Sequence, residues 1–89
     1  METEKLRAHL EQLHAELKQI RAVNEADREL LGKLARDVQE ILDQGDTNTP
    51  AASGLGERLR EAIARMESSH PKITLLMREV IDQLAFLGI

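Results

Sequence analysis

Leu6, Leu10, Leu13, Leu17 and Ile20 follow one another at steps of four, three, four and three. That spacing puts all five on one face of a helix and commits the chain to burying a stripe rather than a sheet face. The same steps run on through Asn24 and Asp27 to Leu31, Leu34, Val38 and Ile41. Beyond a break they resume as Leu59, Ile63, Met66, His70, Ile73, Met77, Val80, Leu84 and Leu87. Composition agrees: 42% of residues are hydrophobic but only 1% aromatic, the single ring being Phe86. A core made of Leu, Ile, Val and Met suits helix packing better than a sheet rich in aromatic and β-branched residues.

The stretch "DQGDTNTPAASG", Asp43 to Gly54, gathers Gly, Pro, Asn, Asp, Ser and Thr with no large apolar residue, and reads as an exposed, mobile connection. The expected organisation is one all-α domain over residues 1–89. It has a helical arm at 3–43 with a candidate break at 23–26, a linker at 44–54, and a second arm at 55–87 with a kink or break at 68–71. Asn24 can cap a new helix, with Asp27 at capping-box spacing. Pro71 can occupy the first turn of another, where its missing N–H costs nothing. Alternatively each arm is one long helix, bent at Pro71 by a lost backbone bond. The apolar phase survives both interruptions, which an unrelated helix would match about one time in three or four. The phase therefore favours long arms, folded back as an antiparallel helical hairpin. A monomeric four-helix bundle is the alternative.

Folding the arms about the linker brings Asp27 toward His70 and Asn24 toward Thr74, so that Asn24, Asp27 and His70 form a polar layer beside a kink at Pro71. Such a layer costs stability but penalises wrong registers. The second arm also carries more apolar surface than one partner helix covers, with Leu75, Leu76, Ile81, Phe86 and Ile89 off the main seam. Exposure of each would forgo roughly 1.5–3 kcal/mol. A homodimer assembled as a four-helix bundle is the expected remedy, with Leu76, Val80, Ile81, Leu84, Phe86 and Leu87 at its interface.

Several functions find no support in the residues. There is no cysteine, hence no disulfide framework, thiolate metal site or cysteine nucleophile. "METEKLRAHLEQL" lacks the apolar core of a signal peptide, and "ITLLM" is too short to span a bilayer. Net charge is −4 with both signs interspersed, and no basic stripe suggests nucleic acid. His9 and His14 lie five apart, on different sides of a helix, and Glu11 with His14 is a lone E-x-x-H where a di-iron bundle needs two. Ser68 and Ser69 beside His70 suit a turn better than a nucleophile and its base. The glycines of "ASGLGERL" fit no phosphate loop. Gly32 sits inside a helix at a cost near ~1 kcal/mol, either permitting close helix approach or marking a surface position. The expectation is a non-enzyme without cofactor or metal, located in the cytoplasm.

"LRAHLEQLHAEL", "DRELLGKLARDVQEIL", the "SHP" of Ser69 to Pro71 and the ending "REVIDQLAFLGI" together resemble the small bacterial proteins of the domain of unknown function 4404 family. The likeness covers nearly the whole chain, with the linker as its variable part. It implies a bacterial, cytoplasmic helical protein and supplies no activity. The functional expectation is a helical protein–protein interaction or self-assembly module. The alternative is a regulator acting at a membrane surface through the apolar C-terminal helix, although Lys and Arg are sparse there.

Overall fold

A computed structural model describes residues 2–21, 24–45 and 50–87, the side chains of residues 2, 3 and 51 excepted. Four long helices and one single turn account for most of them: α1 (Glu2–Gln19), α2 (Glu25–Gln44), α3 (Pro50–Ser53), α4 (Leu55–Met66) and α5 (Pro71–Phe86). No strand occurs among the described residues. The long helices pack in the cyclic order α1, α2, α4, α5, each against two neighbours. Contacts between elements fix the directions. Arg7 near the start of α1 reaches the carbonyl of Leu42 near the end of α2, and Asp37 and Asp27 of α2 meet Arg58 and Arg65 of α4 in reverse order. His9 and Glu16 of α1 meet Glu79 and Lys72 of α5, again in reverse order. The result is an up-down-up-down bundle measuring 35 × 20 × 19 Å.

Both interruptions are turns, so the long-arm hairpin gives way to the four-helix alternative within one chain. At the first, Asn24 has extended backbone (φ −75°, ψ 174°) and its Oδ1 accepts from the Asp27 N–H at 2.8 Å, closing the N-terminus of α2. At the second, His70 has φ −137° and ψ 67°, outside the helical region, with Pro71 as the first residue of α5. The proline ring disfavours helical backbone at the residue before it, so the chain turns rather than bends. The Met66 carbonyl accepts from the N–H groups of both Ser69 and His70, at 3.2 and 2.7 Å, which completes the end of α4. The phase match that favoured long arms arises anyway, because a separate helix can fall into the old register.

The turn at Pro71 explains how the broad apolar face of α5 is covered. Ile73, Leu76, Met77, Val80 and Leu84 are all buried, facing Leu6, Leu10, Leu13 and Leu17 of α1 and Leu55, Leu59, Ala62 and Met66 of α4. Leu31, Leu34, Val38 and Ile41 of α2 complete the core. Of the six expected interface residues, Leu76, Val80 and Leu84 therefore belong to the core of a single chain. Ile81 and Leu87 are half-buried and pack against that core, and Phe86 alone is exposed. Ile89 lies outside the described residues.

The linker is partly structured, against the expectation of an exposed connection throughout. Gly45 ends α2 with φ +68°, a conformation that favours glycine, and its N–H donates to the Ile41 carbonyl. Pro50 to Ser53 form a helical turn in which Ala52 is fully buried, and the Ser53 hydroxyl donates to the Pro50 carbonyl. Residues 46–49 lie outside the described residues.

Candidate functional site

Asn24, His70 and Pro71 come together at one end of the bundle, where α1 passes to α2 and α4 to α5. They do so as turn residues, and the expected buried polar layer does not form. Asn24 is exposed and occupied with its cap. Asp27 pairs with Arg65 at 3.2 Å instead of with His70. Half-buried His70 lies with its Nε2 3.3 Å from the Arg21 carbonyl and its Nδ1 3.0 Å from Ser69 Oγ. With Nε2 protonated, the ring donates to Arg21 and accepts from Ser69, tying the α1–α2 turn to the α4–α5 turn. The fully buried polar side chain at this end is Thr74, whose hydroxyl donates to the Pro71 carbonyl at 2.8 Å.

A groove of about 320 Å³ opens beside this junction, lined by Glu16, Gln19, Ile20, Arg21 and residues 70–73. Ser69 does not line it. A serine acting as nucleophile must face the place where substrate sits, so the Ser69–His70 contact is read as a turn hydrogen bond. Among the described residues no three His, Cys, Asp or Glu side chains gather as metal ligands.

Sequence reasoning assigned His9 no partner, whereas its Nε2 lies 2.9 Å from Glu79 Oε2 across the α1/α5 seam. Its Nδ1 is buried without a partner, as is Oε1 of Gln83 one turn further along α5. The signal was recoverable only with the register of the helices known: in the antiparallel α1/α5 pair, positions 9 and 79 stand opposite each other, as 16 and 72 do. The hairpin reading also set α1 against the C-terminal part of the second arm, but in a shifted register, and missed both contacts.

The outer side of α5 is the least expected surface. Leu75 is 58% exposed and Phe86 73%. Eleven residues apart, they lie within about 20° of each other around the helix. Arg78 and Asp82 fall between them on the same line, and Arg78 also bonds Glu67, at the start of the α4–α5 turn. Lys5, Asp82, Gln83 and Phe86 border a shallow hollow there. The α1/α2 side carries a second hollow of about 460 Å³, floored by Leu17, Ile20, Leu31, Gly32 and Ala35 and edged by Arg21 and Arg28. No helix among the described residues is long and apolar enough to cross a membrane.

Neither a curated protein nor a solved structure matches the chain. A family model does, over residues 6–89, from the first core leucine of α1 through the helix that carries Leu75 and Phe86. The chain thus belongs to the family described as domain of unknown function (DUF4404).

Proposed function

We propose that this protein is a non-enzymatic helical interaction module that associates with a second copy of itself through the outer line of α5. The observation that carries the reading is the exposure of Leu75 and Phe86 on one line of a helix whose opposite face is packed into the core. At heptad spacing that line runs Pro71, Leu75, Arg78, Asp82 and Ala85, with Phe86 alongside. Pairing two copies antiparallel about a two-fold axis sets Leu75 against Ala85 and Arg78 against Asp82, twice over. The charges then complement each other, whereas a parallel pairing would oppose Asp82 to Asp82. One helix line of this length falls short of the ~800 Å² per partner of a standard interface, so the dimer is weak and concentration-dependent.

Light scattering over a dilution series tests the proposal. The expected result is a mass that rises with concentration toward that of a dimer. Leu75→Glu and Phe86→Glu should each hold the protein monomeric. Asp82→Arg should weaken association, and Asp82→Arg combined with Arg78→Asp should restore it. A mass that stays monomeric at all concentrations removes the proposal. Flotation with lipid vesicles that is lost in Phe86→Glu would instead favour the membrane-surface reading, for which Glu79 and Asp82 on the same helix are unfavourable neighbours of an anionic bilayer.

A further inference from the structure

Two of the four seams between neighbouring helices are crossed by ion pairs, and a third is tied by one at its turn. His9–Glu79 and Lys72–Glu16 cross α1/α5, Arg58–Asp37 and Arg65–Asp27 cross α2/α4, and Arg78–Glu67 joins the start of the α4–α5 turn to α5. The α1/α2 seam has none among the described residues. By helical period its outer edges carry Arg7, Lys18, Arg21 and Arg28 together with Glu11 and Glu25, an excess of basic over acidic side chains. Arg7 donates to a backbone carbonyl, that of Leu42, and the other three basic side chains meet no carboxylate among the described residues. In a chain of net charge −4, this seam thus keeps an excess of positive charge, and Arg21 and Arg28 stand unpaired among the described residues.

The same seam is concave and apolar at its centre. Leu17, Ile20, Leu31 and Ala35 form the floor of the hollow near the turn, and Arg21 and Arg28 stand at its edges. Gly32 lies in the middle of α2, and a Cβ built there would meet nothing within 4 Å. A glycine inside a helix costs about 0.8–1.0 kcal/mol relative to Ala, and here no neighbour among the described residues requires it. It leaves room for a side chain from outside.

We propose that this groove receives an amphipathic helix of a partner protein, seated by apolar side chains over Gly32 and flanked by carboxylates that meet Arg21 and Arg28. The mode is a helix in a groove, with anchors repeating every three or four residues. The arginine pair argues against a second copy as occupant, since a two-fold contact here would bring guanidinium groups together. A nucleic acid would gain from the cations but nothing from the apolar floor, and its length of charge would be repelled by the acidic remainder of the molecule. A bilayer meets a protruding apolar surface more readily than a recessed one. The groove lies on a different side of the bundle from the α5 line, so the fate of the self-association proposal leaves this one standing.

The test uses the full chain and a synthetic helical peptide with leucines on one face at heptad spacing and glutamates flanking them. Its control keeps the leucines and replaces the glutamates by lysines. Fluorescence anisotropy reads binding, and amide chemical shifts of Gly32 and Ala35 locate it. The glutamate peptide is expected to bind at those amides and the lysine peptide about tenfold or more weakly. Arg21→Glu with Arg28→Glu should reverse that preference, and Gly32→Leu should block both peptides while thermal melting shows the bundle intact. Equal binding of the two peptides, indifference to the double reversal, or shifts confined to α5 would overturn the proposal. So would stronger perturbation of Gly32 by phosphatidylglycerol vesicles or by an oligonucleotide than by the glutamate peptide.

Discussion

The two sides of α2 are built differently. Toward α4 it presents Asp27 and Asp37, each paired with an arginine, the Asp37–Arg58 contact being 2.6 Å. Toward α1 it presents Arg28, Gly32 and Ala35, a cation that meets no carboxylate among the described residues and two small residues over a hollow. Both sides share one buried line, Leu31, Leu34, Val38 and Ile41, which holds the helix in place whatever happens at its edges. The contrast separates two tasks. Apolar burial makes the bundle, while the edges decide whether a seam is closed by its own charges or left available to something else.

Substitutions along α2 should grade accordingly. Leu34→Ala removes a side chain with no exposed surface from the line common to both seams, and should cost about 2–5 kcal/mol in chemical denaturation. Asn24→Ala removes the cap shared by neither seam and should cost about 1 kcal/mol. Gly32→Ala should act in the opposite sense and raise stability by up to about 1 kcal/mol, because the site has free space and gains helix propensity. Asp37→Asn should cost less than about 1 kcal/mol, since its partner Arg58 is 37% exposed and solvent screens the pair, and the loss should shrink in high salt. Arg28→Gln should leave stability within about 0.5 kcal/mol of the parent. An Arg28→Gln protein that lost more stability than Asp37→Asn would break the contrast, by showing that the α1/α2 seam relies on its arginine after all.

Much of the buried line was legible in the sequence. The steps of three and four named Leu6, Leu10, Leu13 and Leu17, the four buried residues of α2, and Ile73, Met77, Val80 and Leu84, all of which face the core. In α4 Leu59 and Met66 are buried as expected, but between them Ala62 is buried and Ile63 only partly so. A hydrophobic pattern cannot rank a small alanine above a neighbouring isoleucine, although close helix approach favours the smaller residue. The turns were harder to read, because a heptad pattern is blind to a reversal of direction that preserves its phase. His70 fell on the expected seam by number, but the geometry imposed by Pro71 lifts it out of the helix. The basic seam was illegible for a related reason. Charges interspersed along the chain sort onto separate faces only once it is known which helices are neighbours.

The central claim, that the chain doubles back at Pro71, can be tested by a distance. The protein has no cysteine, so Glu57→Cys and Asp82→Cys would supply the only two labelling sites, both exposed, near the start of α4 and the end of α5. Double electron–electron resonance on spin-labelled protein, diluted with unlabelled chains, reads their separation. The bundle predicts a distance comparable to its 20 Å width. A helix running on through Pro71 would hold the two positions about 38 Å apart, at 1.5 Å per residue, and a distribution centred there would contradict the account.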